Sequence, residues 1–324
     1  MERSGWLAWI FFTFTFRLLH FPLLTDNDRS GTGADLSAFN PFAPARFHKA
    51  RSPGDTKQMK QLVHTGVALL ALLLFACRAT AAPDKIKSLC DIHYPSDTRI
   101  EWECLDLKWK DTPKGLFGTY WQDVLRFNRI DRRHFIAGTS IKVPKRLDEI
   151  KGFTPLPATY PDAGEEAKFI LVDQSEQFLG AYEFGKLVFS SPVAVGIEGH
   201  RVPNGEFRID AASRHHESNL YTVEGTKRPY PMHYGLRYYV DKSVETWPAY
   251  WFHGRDVPGY PASHGCIGLY DEIMQKQYYH EPRKPLLEDA KRLYEWAVAP
   301  QRDSGKFHTI KDGPKVLIIG TPQL

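Results

Sequence analysis

Residues 253–269 read HGRDVPGYPASHGCIGL, and this stretch holds the most concentrated reactive chemistry of the 324-residue chain. His253 and His264 both lie close in sequence to Cys266. A thiol becomes a strong nucleophile as thiolate, and a nearby imidazole lowers its pKa and takes its proton. Gly265 allows a tight backbone approach, so that main-chain N–H groups can point at a developing oxyanion. The pattern therefore predicts a cysteine nucleophile served by a histidine.

The sequence around this stretch predicts a mainly β fold. Short apolar runs separated by turn residues are strand candidates at 169–172, 178–184, 187–195, 205–209, 234–240, 249–252 and 316–319. Helical spacing of apolar residues is found at 271–279 and 286–298. Many short strands with turn signals and few helices are typical of a sandwich or barrel.

These motifs resemble the L,D-transpeptidase catalytic (YkuD) family. Its signature is a His-Gly pair, a loop, and then Ser/Thr-His-Gly-Cys followed by an apolar residue, which matches His253-Gly254 and SHGCI at 263–267. The stretches 168–184, 191–207 and 314–319 also resemble segments of that family. The resemblance covers 168–320 and implies a mixed β-sandwich with the nucleophile at the end of a strand.

The resemblance implies acyl transfer on peptidoglycan stem peptides. Cys266 attacks the carbonyl of the third, diamino-acid residue of a stem tetrapeptide, releases the terminal D-Ala and is left as a thioester. An amine of another stem then gives a 3→3 cross-link, or a protein is attached instead. The alternatives are an L,D-carboxypeptidase or amidase of the same fold, and a non-catalytic protein that binds the wall.

The same resemblance assigns roles within the motif. His253 is the general base for Cys266, while His264 and Gly265 shape the catalytic site. The candidates for substrate binding are Ser263, Gly254, Arg255, Tyr260 and Trp251. The resemblance also implies that no metal and no organic cofactor is needed, and against zinc in particular no His or Cys pair has the spacing of a zinc site.

Two departures from the family pattern lie in this region. The family usually has Arg or Asn two residues after the cysteine, where this chain has Gly268. Arg255 can supply a charge instead, and a solvated loop arginine is the alternative reading of that residue. The loop between His253 and Ser263 is shorter than is usual in the family. We therefore expect the loop that covers the site to differ from that of other family members.

The sequence pattern of residues 83–150 predicts a separate small α+β unit. Leu116 to Asn128 has a helical apolar face, and 140–143 alternates like a strand, which gives the order strand, helix, helix, strand. The stretches 110–112, 127–130 and 137–144 resemble a LysM domain, which implies binding to the glycan of the wall. The alternative is a packing unit without a ligand. Residues 151–167, rich in proline and polar side chains, predict a linker.

The N-terminal region predicts export. Residues 59–81 combine Lys60, the apolar run 67–76 and an Ala79-Thr80-Ala81 cleavage signal, the three parts of a secretory signal peptide. We therefore interpret 1–58 as a non-native or disordered extension; membrane anchoring through the N-terminal segment is the alternative. Export predicts a periplasmic protein, in a compartment where Cys90 and Cys104 can form a disulfide or remain free.

The distribution of net charge limits the classes of molecule that the folded part of the chain is expected to bind. The net charge of +4 lies entirely within residues 1–81, so the remainder carries none. A folded part without excess positive charge gives no argument for nucleic-acid binding. The expected partners are peptidoglycan stem peptides and glycan.

Overall fold

The computed structural model describes residues 88–223, 226–300, 303 and 305–323. The predicted signal peptide at 59–81 and the extension at 1–58 lie outside the described residues. No helix in the described ranges is long and apolar enough to cross a membrane. The described residues belong to one compact unit.

The described residues form the following strands and α-helices. The strands are β1 Trp102–Asp106, β2 Ser140–Pro144, β3 Phe169–Asp173, β4 Phe178–Glu183, β5 Lys186–Pro192, β6 Gly205–Arg208, β7 Ala211–Thr222, β8 Pro229–Val240, β9 Ala249–Arg255, β10 Ile267–Tyr270, β11 His308–Thr309 and β12 Lys315–Ile319. The helices are α1 Pro113–Phe117, α2 Trp121–Phe127, α3 Glu272–Tyr279 and α4 Asp289–Val298.

Two five-stranded sheets with both parallel and antiparallel pairs build the larger part of the fold. Their strand orders are β5-β4-β3-β12-β6 and β10-β9-β8-β7-β11, with β12 parallel to β3 and β10 parallel to β9. Apolar side chains from both sheets and from α4 bury one shared core, which includes Leu179, Leu236, Phe252 and Leu293. The predicted mainly β, mixed sandwich with few helices is confirmed.

The N-terminal unit has the order strand, helix, helix, strand, with β1 and β2 antiparallel, but both α-helices overlap the single helical face predicted over Leu116–Asn128. The helical face predicted over Leu116–Asn128 is divided, because Gly118 has a φ of 56°, in the left-handed region that ends α1. Cys90 and Cys104 form a disulfide. A two-stranded sheet is marginally stable alone, so this unit needs a partner surface.

That partner surface is the sandwich. A second core joins apolar residues of the N-terminal unit to the first strands of the sandwich. Phe153 packs edge-on against Phe127 on one side and Phe178 on the other, with ring centroids 5.2 Å and 5.8 Å apart. Residues 151–167, whose composition predicts a linker, therefore cover this core with Phe153, Leu156 and Ala163 rather than forming an extended spacer.

Charged side chains cross the same interface. Arg129, fully buried, donates to Glu176 at 2.9 Å and lies 3.4 Å from Asp97, while Lys142 contacts Asp97. The guanidinium also stacks on the Tyr94 ring, 3.8 Å from its centroid. Arg129, Lys142, Asp97 and Glu176, here called the buried charge cluster, balance two positive with two negative charges.

Candidate functional site

The site lies where β9 and β10 run side by side. The parallel register places Gly268 opposite His253 and Ile267 opposite Phe252. Cys266, the residue before β10, therefore lies beside Trp251, whose backbone N–H faces its sulfur. The two strands thus bring the predicted base and the predicted nucleophile to neighbouring positions in one sheet.

His253 is buried and neutral. Its Nδ1 lies 2.8 Å from the carbonyl oxygen of Gly254, which can only accept, so Nδ1 carries the proton and Nε2 is left free to take another. Burial, with the nearby Arg255 charge as a second cause, lowers the pKa of His253 to about 3. At neutral pH the imidazole is therefore available as a base.

Cys266 rests as a thiol. Burial raises its pKa, and the Trp251 N–H and the Arg255 charge offset that effect only in part. The expectation that a neighbouring imidazole depresses this pKa is therefore not met, because desolvation outweighs every favourable contact. Proton removal must accompany attack. With Cys90 and Cys104 bonded, Cys266 is the free cysteine among the described residues.

Hydrogen bonds of Ser263 hold the loop that carries Cys266. The Ser263 hydroxyl donates to the carbonyl oxygen of Cys266 at 2.6 Å, and the Ser263 N–H donates to Val195 at 2.9 Å. Gly265 has a φ of 110°, and a Cβ there would lie 2.9 Å from the Tyr250 ring. Ser263 and Gly265 therefore lie where they hold the nucleophile in place.

The remaining predicted residues are spread around the site. His264 is exposed and stacks on Tyr221, with ring centroids 4.6 Å apart. Trp251 is buried beneath His216, and its ring centroid lies 4.4 Å from that imidazole. Tyr260 is half-buried and packs against the second core.

Arg255 lies over Gly268. A Cβ built on Gly268 would lie 1.9 Å from both Cγ and Cδ of Arg255, so any side chain at position 268 would collide with it. The guanidinium donates to the carbonyl oxygens of Ala262 at 3.0 Å and Asp256 at 3.2 Å. The arginine side chain and the glycine are therefore complementary, and Arg255 is packed and hydrogen-bonded rather than free in solvent.

Residues 167–318 match the family model of the L,D-transpeptidase catalytic domain, YkuD. The resemblance that the sequence shows over 168–320 is thereby confirmed, and the matched segment is called the YkuD domain below. No family match supports the LysM resemblance of the N-terminal unit. No curated protein matches the chain.

Solved structures that match part of this chain include three L,D-transpeptidases. L,D-transpeptidase 1 of Mycobacterium tuberculosis is 16% identical, with a TM-score of 0.31, and the match covers 48% of this chain and 62% of that one. The enzyme from Stackebrandtia nassauensis is 18% identical, with a TM-score of 0.33 and coverage of 63% and 68%. The enzyme from Xylanimonas cellulosilytica is 20% identical, with a TM-score of 0.33 and coverage of 60% and 78%. The chain thus spans about three fifths of the length of the first of these relatives.

The N-terminal unit holds the short loop that leaves the YkuD strand β9. Asp131 accepts from the backbone N–H of Val257 at 2.8 Å, and Arg133 forms an ion pair with Asp256 at 2.8 Å. The hydroxyl of Tyr94 donates to the carbonyl oxygen of Gly259, also at 2.8 Å. The N-terminal unit therefore supports one wall of the site.

Asp271 is a site residue that the sequence did not reveal. Its Oδ1 accepts from the Met274 N–H at 2.9 Å and caps α3, while its buried Oδ2 has no hydrogen-bond partner in the described part of the chain. A Cβ on Gly254 would lie 2.2 Å from this Oδ2, so Gly254 makes room for the carboxylate. Burial raises the pKa of Asp271 to about 6. An aspartate before a helix predicts a cap, but no local signal places its carboxylate against Gly254.

Proposed function

We propose that this protein is a peptidoglycan L,D-transpeptidase that acts through a thioester on Cys266. The observation that carries the proposal is the neutral, buried His253, with Nε2 free, on the strand beside the Cys266 loop of the YkuD domain. A buried neutral imidazole next to a buried thiol is a general base paired with a nucleophile.

The reaction follows from these protonation states. Nε2 of His253 takes the thiol proton while the Cys266 sulfur attacks the carbonyl carbon of the third stem residue. The C–N bond to the terminal D-Ala then breaks, the imidazolium returns its proton to the leaving amine, and a thioester remains. The backbone N–H groups of the Gly265–Cys266 turn are assigned the stabilisation of the oxyanion. An amine of a second stem then displaces Cys266.

Arg255 binds the carboxylate of the donor stem in this proposal. Its side chain packs over Gly268, which is opposite His253 in the strand register and two residues after Cys266. The hydrogen bonds to Ala262 and Asp256 orient it in advance. Gly268, where the family usually has Arg or Asn, is therefore compatible with activity, because the charge comes from β9 instead.

A glycan-binding role for the N-terminal unit is a second proposal. Trp109 is 89% exposed and Ile136 is 54% exposed, on loops joined by the hydrogen bonds Gly138 N–H to Leu107 and Leu107 N–H to Thr139. Exposed indole faces suit the apolar faces of sugars. The LysM resemblance and the solvent-facing tryptophan together support wall binding here.

The periplasm is the location that fits this function. Disulfides persist in oxidising compartments, and the bond between Cys90 and Cys104 supports export by the signal peptide predicted at 59–81. Peptidoglycan lies in the same compartment.

A product analysis tests the proposed activity. The full chain is incubated with disaccharide-tetrapeptide, and products are followed by mass spectrometry beside Cys266→Ala. We expect a 3→3 dimer from the native chain and none from the variant. Tripeptide without dimer indicates a carboxypeptidase of the same fold. Product from both chains, or from neither, refutes the cysteine mechanism.

A further inference from the structure

An arginine of the N-terminal unit crosses to the loop that follows the strand β9. Arg133 donates to both carboxylate oxygens of Asp256, from Nε at 3.2 Å and from Nη2 at 2.8 Å. Gln275 of α3 donates to the same carboxylate at 2.9 Å. Asp256 directly follows Arg255, the last residue of β9. The carboxylate next to Arg255 in the chain is therefore already bound from two other elements.

Arg255 itself contacts neutral oxygen atoms. Its guanidinium donates to the backbone carbonyl oxygens of Ala262 and Asp256, and in the described part of the chain it forms no ion pair. Its aliphatic part packs over Gly268, opposite His253 in the strand register. A guanidinium that is oriented by carbonyl groups keeps its ability to bind a carboxylate. The charge beside the catalytic strands is thus held in place without being neutralised.

The neighbouring carboxylate is a competitor for that charge. An ion pair within one chain forms without the loss of translational freedom that accompanies substrate binding. A carboxylate of Asp256 without other partners would therefore pair with Arg255 before a substrate did. The two-point contact from Arg133 is strong and directional. The side chains of Arg133 and Asp256 are 29% and 13% exposed, so water screens their attraction only in part.

We propose that the ion pair between Arg133 and Asp256 keeps the guanidinium of Arg255 free to bind the carboxylate of the donor stem peptide. Arg133 is then a positioning residue for donor recognition, which acts through Arg255. The inference rests on the proposed function, since it takes Arg255 as the group that binds the donor. The N-terminal unit thereby contributes to substrate recognition with a side chain that does not itself touch the substrate.

The kinetics of the first turnover test the proposal. Thioester formation on Cys266 is followed by intact mass over a range of disaccharide-tetrapeptide concentrations, which gives a maximal rate and a KM for the donor. Arg133→Gln releases the carboxylate of Asp256, so the KM should rise about three- to tenfold while the maximal rate stays within about twofold of the native rate. Arg133→Lys keeps a positive charge for Asp256 and should stay near the native KM.

A rescue variant separates competition for Arg255 from a loss of structure. Arg133→Gln combined with Asp256→Asn removes the competing charge and leaves the backbone carbonyl that accepts from Arg255. The KM for the donor should return to within about twofold of the native value. An ion pair that serves only to stabilise the interface cannot give this result, because the double variant lacks both charges.

Arg132→Gln is the matched control, because Arg132 also reaches from the N-terminal unit to the YkuD domain. Arg132 forms an ion pair with the buried Glu272 of α3 and donates to the carbonyl oxygen of Lys284 at 2.6 Å, both outside the loop after β9. We expect a lower urea midpoint in this variant, since Glu272 stays buried without its opposite charge. The KM for the donor should not change.

The outcomes separate this proposal from the proposed function. An unchanged KM in Arg133→Gln, or a raised KM that Asp256→Asn does not restore, overturns the role of Arg133 alone. An equal rise in Arg132→Gln also overturns it, because a loosened interface would then explain both variants. A native chain that forms no thioester on Cys266 overturns the proposed function itself, and this inference with it.

Discussion

The buried charge cluster and the catalytic site are both polar and both buried, yet their partners differ. In the cluster, Arg129 and Lys142 face Asp97 and Glu176, and every charge has an opposite charge in contact. In the site, Cys266 is a thiol, His253 is neutral, and Oδ2 of Asp271 has no partner in the described residues. The charges of the buried charge cluster are thus all paired, whereas the site keeps a buried polar atom without a hydrogen-bond partner among the described residues.

The difference indicates what each region does. Paired buried charges hold a defined arrangement, since removing one leaves the other unsatisfied. Unpaired buried groups cost stability and are retained where they react with or bind a ligand. The N-terminal unit is therefore a scaffold for the YkuD domain in its interior, and any binding role of its own lies on its surface.

The largest expected effect is on catalysis. Replacing His253 by Gln removes the base, and the rate of thioester formation should fall by about 10²- to 10⁴-fold. Folding should persist because the glutamine amide can donate to the same Gly254 carbonyl. Stopped acylation reactions followed by mass spectrometry measure the rate. A loss of less than threefold would mean that another group removes the thiol proton.

The pH dependence of acylation also tests the role of His253 as the general base. A base works above its pKa, and burial lowers the pKa of His253 to about 3, far below the ordinary value of about 6.5. Acylation should therefore show no acid limb between pH 5 and pH 7. A half-maximal rate near pH 6.5 would show an imidazole in an ordinary, hydrated environment and would remove the contrast with the paired cluster.

The next effect is on stability. Arg129→Met should lower the free energy of unfolding by about 3–5 kcal/mol, because the carboxylates of Asp97 and Glu176 stay buried without their partner. The matched control is Arg146→Met, since Arg146 pairs with Asp148 at the surface, and its denaturant midpoint should not move. Urea unfolding followed by fluorescence measures both. Equal midpoints would show that the cluster does not stabilise the interface.

A smaller effect is expected on donor binding. Arg255→Gln should raise the KM for the donor stem about tenfold and leave the unfolding midpoint nearly unchanged, since the guanidinium is replaced by a neutral amide. The double variant Arg255→Ala with Gly268→Arg returns a guanidinium to the same space from the neighbouring strand and should recover part of the loss. Steady-state kinetics measure the KM of each variant for the donor stem. A double variant with the same KM as Arg255→Ala would show that a guanidinium in this space does not bind the donor.

The smallest effect is expected at the surface of the N-terminal unit. Trp109→Ala should weaken binding of the chain to insoluble peptidoglycan a few-fold, with no change in thermal midpoint, because the indole is exposed. Trp247→Ala, an exposed tryptophan of the β8–β9 loop, is the control. Pull-down with washed sacculi measures both. Identical binding of the native chain and both variants would leave the unit with its scaffold role alone.

The fold was predictable where local patterns and burial coincide. Short apolar runs predicted β3, β4, β5, β9 and β12, and helical spacing predicted α3 and α4. The strand β7 carries no such pattern, because most of Arg214–Thr222 is polar and only its pairing with β8 makes it a strand. Length and composition of residues 151–167 also failed to show their burial, since the apolar side chains in that segment are few.

The residues alone predicted Cys266 and His253 as a reactive pair, and they carried the resemblance to the YkuD family that the match over 167–318 confirms. Cys266, His253 and the glycines beside them are local features, and their chemistry is readable from residue type and spacing. Tertiary contacts were needed to show that Arg255 lies over Gly268, that Asp271 packs against Gly254, and that the N-terminal unit holds the loop after β9. These relations join residues far apart in the chain or on neighbouring strands, and they arise from packing and desolvation, which no local pattern records.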